Sequence, residues 1–168
     1  WFFSTPFVST FPEFNIRTYV SKDGIPGVYF LTLEAKSLVT CSYAPKAYGL
    51  PYNYAKGRIT KQGNIINWSS SRNDGDLNLI GTTEIYGTPQ NAEPGSLEEF
   101  LFERYCLYTN KNGNIMRGYT HHKKWVFQPA KLNITSNSLT KNYNLGIKDL
   151  LAPDLAHFSF GVNVRTYS

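Results

Sequence analysis

Phe11–Leu33, FPEFNIRTYVSKDGIPGVYFLTL, is the stretch that decides the fold. Two runs rich in aromatic and β-branched residues flank Ser21-Lys22-Asp23-Gly24, the pattern of two strands joined by a tight turn. Successive strand side chains point to opposite faces, so Glu13, Asn15 and Arg17 share one face while Phe14, Ile16, Thr18 and Val20 share the other. On a buried face, a carboxylate, an amide and a guanidinium in a row make a polar site. On a solvated face the same row is an ordinary half-buried strand.

Outward from this hairpin the strand patterns continue. Trp1–Phe11 is apolar, β-prone and broken by Pro6, as an edge or bent strand would be. It opens without a Met or a polar lead-in, and the expectation is that an N-terminal part is missing from this chain. Leu33-Glu34-Ala35-Lys36-Ser37 leads into a short helix from Ser37, expected to be interrupted by Pro45 and closed by Gly49. The segment after Pro51 reads as extended. Gly57–Thr60 and Asn64–Ser69 form a second hairpin around Lys61-Gln62-Gly63, then come a polar loop, Ser70–Asp76, and a strand, Leu77–Tyr86. Thr88–Gly95 is a connection. Ser96 caps the clearest helix, with Glu98 and Glu99 in its first turn and Phe100, Leu101 and Tyr105 expected to dock it on the core. Tyr105–Thr109 and Ile115–Thr120 form a third hairpin around Asn110-Lys111-Asn112-Gly113, and Trp125–Thr135 is a further strand. A helix is expected at Leu145–Leu151, and a last strand over Ala156–Tyr167.

The bulk composition bounds the class. At 168 residues the chain reads as a single domain, and its 41% hydrophobic content can fill a core. Aromatics reach 15%, which suits strands. Charged residues are 17%, against about 25% in an average domain, which argues against extensive disorder. The net charge of +5 is spread along the chain, with one dense run at His121-His122-Lys123-Lys124, and scattered charge argues for a solvated surface over nucleic-acid binding. Cys41 and Cys106 are far apart and read as free, buried thiols of a reducing compartment. No apolar run approaches the length of a membrane span and no signal peptide is visible, so the expected place is the cytoplasm. The pattern as a whole is α+β and strand-dominated: a curved mixed or antiparallel sheet closing into a barrel, with two or three short helices.

With these segments placed, the chain resembles the YqjF-like family of uncharacterised bacterial proteins. The matching stretches are Pro12–Val20, Gly27–Phe30, Tyr48–Tyr52, Glu93–Leu97, Glu103–Tyr108 and His157–Ser159 with Gly161-Val162, in order along nearly the whole chain. Members carry some tens of residues before the equivalent of Trp1. The family is similar in fold to acetoacetate decarboxylase, which implies a strongly curved mixed sheet closing into a barrel around an interior pocket. The decarboxylase uses a Schiff-base lysine beside a second lysine, both just after a Tyr-Pro pair. The comparable stretch here reads Leu50-Pro51-Tyr52-Asn53, without either lysine; Lys56 and Lys46 are the nearest amines. The decarboxylase's active-site glutamate matches Glu13.

The candidate site follows. Glu13 is the candidate general acid or base, its pKa raised by burial or lowered by Arg17. Arg17 can hold a carboxylate in a bidentate fork. Asn15, Tyr52, Glu103 and His157 complete the ligand-binding set, with Tyr54 a further pocket candidate. For each the bland reading is a structural ion pair, a solvated face or a satisfied core residue. His121 and His122 are neighbours on a strand and cannot share one metal ion; no metal or cofactor is expected. Three functional readings stand, in this order: a protein binding a small organic acid or carbonyl compound in an interior pocket; an enzyme acting on a carbonyl compound by acid–base catalysis; and decarboxylase-type chemistry through Lys56 or Lys46. The expected partner is a small carboxylate or ketone, with no nucleic acid and no membrane; a homo-oligomer formed through an uncovered strand edge also remains open.

Overall fold

The computed structural model describes residues 11–72 and 77–167. The strand expected over Trp1–Phe11 lies outside them except for Phe11. The central hairpin forms as read: β1 (Glu13–Lys22) runs antiparallel to β2 (Ile25–Ala35), from Glu13 opposite Ala35 to Lys22 opposite Ile25. Asp23 and Gly24 take φ of 54° and 75°, the positive values that a two-residue turn of the right twist demands. Ile16 opposes Thr32 but Arg17 opposes Phe30, so Leu31 is the extra residue of a bulge.

Next comes α1 (Leu38–Tyr48), whose first turn is capped by the Ser37 hydroxyl accepting from the Thr40 N–H at 3.2 Å. Pro45 does not interrupt it. Proline removes one backbone donor, but the helix continues for three residues and ends at Gly49, in the left-handed region at φ 68°. Then follow β3 (Tyr52–Gln62), β4 (Ile65–Arg72) and β5 (Asn78–Ile85), with a two-residue β6 (Gln90–Asn91) inside the expected connection. Next, α2 (Leu97–Phe102) is capped by Ser96, whose hydroxyl accepts from the Glu99 N–H at 3.1 Å. After it come β7 (Cys106–Lys111), β8 (Asn114–His121) and β9 (Val126–Asn137), then α3 (Ser138–Lys141), β10 (His157–Phe158) and β11 (Arg165–Tyr167).

The helix expected at Leu145–Leu151 is absent. Asn144 and Gly146 sit at φ of 45° and 70°, which no α-helix accommodates, and the helical turn forms instead at α3 under an Asn137 cap. The last strand is likewise split: Gly161, at φ 89°, separates β10 from β11.

The sheet runs β10-β9-β5-β4-β3-β2-β7-β8-β11, with β1 on β2 and β6 on β9. Only β2–β3 and β2–β7 are parallel pairs. With β1 along one edge of β2, the other edge is shared: Leu33–Ala35 pair with Tyr52–Tyr54, and Val28–Tyr29 pair with Leu107–Tyr108. The expected barrel does not close; among the described residues no ladder joins the β9–β10 end to the β7–β8–β11 end. Helix α2 stands between the ends. Just past α2 the Thr120 hydroxyl of β8 donates to the Arg104 carbonyl at 3.3 Å, while Phe102 packs on Phe127 of β9 and His157 of β10, so side chains bridge where backbone does not. The Tyr19 hydroxyl of β1 also donates to the Leu101 carbonyl at 3.0 Å. Phe100, expected to dock α2 on the core, is 46% exposed.

Leu33, Ala35, Ala55, Tyr108, Phe127 and Leu139 are among the buried apolar residues. Gly81 is required by close approach: a Cβ there would lie 2.5 Å from the Asn133 carbonyl oxygen and 2.6 Å from the Trp68 indole. Both cysteines are free; Cys106 is buried and Cys41 half-buried. Among the described residues no helix is long and apolar enough to cross a membrane.

Candidate functional site

The polar row of β1 keeps its common face but not a common site. Glu13 sits at one end, where its Oε2 accepts a 2.8 Å hydrogen bond from the Tyr52 hydroxyl. The residue is exposed overall, yet neighbours crowd its carboxyl group, and this desolvation pushes its pKa above the ordinary 4.5 against the opposing hydrogen bonds from Tyr52 and Asn15. Of the two shifts expected for Glu13, burial prevails over Arg17. The Tyr52 phenol is pushed upward by its own burial and then by the Glu13 charge. Asn15 is exposed and serves Glu13.

Arg17 lies four residues along the strand, about 13 Å from Glu13 at ~3.3 Å per residue, and lines a cavity of about 300 Å³. Val28 and Phe30 of β2, Leu101 and Phe102 of α2 and Leu107 of β7 supply apolar walls. Phe127 and the β10 residues His157 and Phe158 close the far side, so both ends of the open sheet meet here around α2. Arg104, just past α2, is the second cation in the lining, which contains no aspartate or glutamate. Its guanidinium stacks 4.2 Å from the Phe100 ring centroid, and those of Arg104 and Arg17 each lie 5.8 Å from the Tyr19 ring. One terminal nitrogen of Arg104 donates to the Glu103 carbonyl at 3.0 Å, whereas its buried Nε has no hydrogen-bond partner. Among the described residues Arg17 donates only to Tyr19, at 3.4 Å.

His157 meets Phe102 and Phe127 edge-on and points Nε2 at Glu98, 3.5 Å away. His122, also in the lining, is 8% exposed, stacked on Tyr105, with both ring nitrogens facing carbonyl oxygens of Lys123 and Arg104. Its neighbour His121 is exposed. Glu103 does not line the cavity. Its Oε1 accepts from the Trp125 N–H at 3.0 Å and its Oε2 from the Tyr105 hydroxyl, so it fixes one wall residue in place. Tyr105, in turn, is pushed up to about 12 by that hydrogen bond. Of the six expected site residues, the cavity thus gathers Arg17 and His157; Glu13, Asn15 and Tyr52 form a separate cluster, and Glu103 stands behind the wall. Neither Lys46, Lys56 nor Tyr54 lines this cavity or a second one of about 200 Å³ beside Gly49 and Pro51.

The opposite face of the hairpin holds a cluster that sequence reading missed. Glu34, 2% exposed, receives a bidentate fork from Arg72 at 2.8 and 3.0 Å. The Thr32 hydroxyl donates to Glu34 at 2.6 Å and accepts from Asn53 at 3.0 Å. A carboxylate inside Leu-Thr-Leu-Glu-Ala was the available signal, since such a group is buried only with a partner. An aromatic pocket is what the sequence led one to expect, but Arg104 is not among the expected site residues; its signal is an arginine set between Phe102 and Tyr105. Among the described residues no group of three or more His, Cys, Asp or Glu is placed to hold a metal ion.

The comparisons with known proteins agree with this architecture. The chain matches the family DUF2071, described as an uncharacterized conserved protein, over residues 1–163. It is 33% identical over 155 residues to the uncharacterized protein YqjF of Bacillus subtilis (strain 168), covering 92% of this chain and 63% of that relative. It therefore spans less than two thirds of the relative's length. Among solved structures it is similar to acetoacetate decarboxylase from Legionella pneumophila subsp. pneumophila str. Philadelphia 1, with TM-score 0.62 and 17% identity over 92% of this chain and 63% of that one. It is also similar to the enduracididine biosynthesis enzyme MppR complexed with pyruvate, with TM-score 0.54 and 11% identity over 94% of this chain and 62% of that one. At such identities the likeness is one of fold: strand-dominated α+β, with a mixed sheet and three helices. By its match over residues 1–163 and its identity to YqjF, the chain belongs to the DUF2071 family of uncharacterized proteins.

Proposed function

We propose that this chain binds a small organic acid or carbonyl compound in the cavity between β1–β2, α2 and β9–β10, without Schiff-base chemistry. One observation carries the reading: two guanidinium groups line a largely apolar cavity, and among the described residues the lining holds no acidic side chain and neither guanidinium has a carboxylate partner. The half-buried Arg104, with its buried Nε unpartnered, gains most from a charge-assisted, forked partner, which is what a carboxylate supplies; Arg17 beside it is exposed. The absence of lysine from the lining weighs against the lysine chemistry of the decarboxylase fold, and the pyruvate bound by the similar enzyme MppR supports a ligand bearing a carboxylate and a ketone.

The test is calorimetric titration with pyruvate, acetoacetate and neutral ketones. Arg17→Gln and Arg104→Gln should each weaken acid binding about tenfold or more, the worth of one lost hydrogen bond to a charged group. Unchanged affinity in both variants, or no binding of any compound by the parent chain, would refute the proposal. Borohydride treatment with the same panel should leave the intact mass unaltered.

A second reading is favoured by the Glu98–His157 pair, an imidazole in the cavity wall held by a carboxylate at 3.5 Å. Such a pair can move a proton at a bound carbonyl compound, and this role falls to His157 because Glu13 lies outside the cavity lining. Deuterium exchange at the α-carbon of a bound ketone, abolished in His157→Gln, would support it.

A further inference from the structure

The cavity wall combines two cations with a cluster of rings. Arg17 and Arg104 both line it, their guanidinium groups each 5.8 Å from the Tyr19 ring. Three other residues of the same lining pack on one another: Phe102, Phe127 and His157, with ring centroids 4.9 to 5.2 Å apart. Phe158 is a further aromatic residue of the lining.

Volume and charge narrow the ligand further. At about 300 Å³ the cavity falls at the small end of ligand pockets, which run roughly 300–1,000 Å³, and it accommodates a molecule larger than a two- or three-carbon acid. Glu98 stands 3.5 Å from His157 of the same wall, and its charge there repels a second carboxylate.

Resting on the acid-binding reading above, we infer that the ligand is an aromatic monocarboxylate. Its carboxylate lies against Arg17 and Arg104, and its ring lies edge-to-face among Phe102, Phe127 and Phe158. The guanidinium fork recognises the planar anion, and offset or edge-on ring contacts recognise the body.

The experiment titrates the full chain with 3-phenylpropionate, pyruvate and phenylsuccinate, and repeats the first two with Phe102→Leu. We expect 3-phenylpropionate to bind at least tenfold more tightly than pyruvate, the worth of burying a ring. Phenylsuccinate should bind at least tenfold more weakly than 3-phenylpropionate, and Phe102→Leu should reduce the phenylpropionate affinity by a larger factor than that for pyruvate. In the parent chain, nuclear Overhauser contacts should connect the ligand ring with Phe127 and His157; their absence despite binding would overturn the placement without recourse to a variant. Pyruvate binding as tightly as 3-phenylpropionate would overturn the aromatic class while leaving acid binding intact. Equal affinity for phenylsuccinate would overturn the monocarboxylate claim. Failure of every acid to bind would remove both this inference and the reading on which it rests.

Discussion

Arg72 and Arg104 are both half-buried, and their surroundings could hardly differ more. Arg72 closes a bidentate fork on Glu34, itself braced by Thr32 and through it by Asn53, so every charge in that cluster is answered from within the chain. Arg104 rests on the Phe100 ring, keeps one bond to a backbone carbonyl, and faces a cavity that contains no carboxylate. The first arrangement is what a fold needs, since a buried ion pair is tolerated only when its members satisfy each other. The second leaves electrostatic stabilisation unrealised until an anion arrives. Internal completeness marks the structural cluster, and incompleteness is what singles out the proposed binding site.

The contrast can be broken most forcefully at its structural pole. Arg72→Met leaves Glu34 buried without its cation and should cost about 3–5 kcal/mol in urea unfolding. Adding Glu34→Leu should restore a substantial part, because the stranded charge is then gone. A smaller loss, about 1–3 kcal/mol, is expected for Gly81→Ala, where the added methyl meets the Asn133 carbonyl and the Trp68 indole; thermal unfolding would measure it. Glu13 offers a gentler test through pH. Its pKa is raised in the fold, so the folded state holds the proton more tightly than the unfolded chain. Its contribution is therefore complete below about pH 4.5 and is lost as pH rises through the elevated value. Glu13→Gln, which mimics the protonated form and still accepts from Tyr52, should raise the melting temperature at pH 8 and leave it unchanged at pH 4. The smallest effect sharpens the opposite pole: Arg17→Gln should change stability by no more than about 0.5 kcal/mol, as expected where only a long, exposed contact with Tyr19 is lost.

Local chemistry explains what could be read before the coordinates. Asp23-Gly24 and Asn112-Gly113 announce their turns because few other residues accept positive φ in succession, and Ser96 announces α2 because its hydroxyl satisfies an orphan N–H. The alternation of β1 correctly put Glu13, Asn15 and Arg17 on one face. It could not tell that the cavity begins only at Arg17, because the partner walls come from α2, β9 and β10. Arg72 was read as part of a polar loop although β4 extends to it, and nothing near it in sequence points to Glu34. Leu145–Leu151 looked helical by composition, yet positive φ at Asn144 and Gly146 sets a different course. Closure of the sheet, too, depends on which strands meet, a long-range property to which the local pattern is blind.

The divided edge of β2 has a consequence for biosynthesis. Its upper half is covered by β3, which follows after one short helix, whereas its lower half waits for β7. The Tyr108 hydroxyl must reach back across 83 positions to bond the Ile25 carbonyl. At a ribosomal rate of about 5–20 residues per second, Val28 and Tyr29 stand bare on the nascent chain for on the order of several seconds. During that interval the exposed ladder groups can recruit any extended segment nearby. This half-strand is thus an edge left open to mispairing on the emerging polypeptide until β7 arrives.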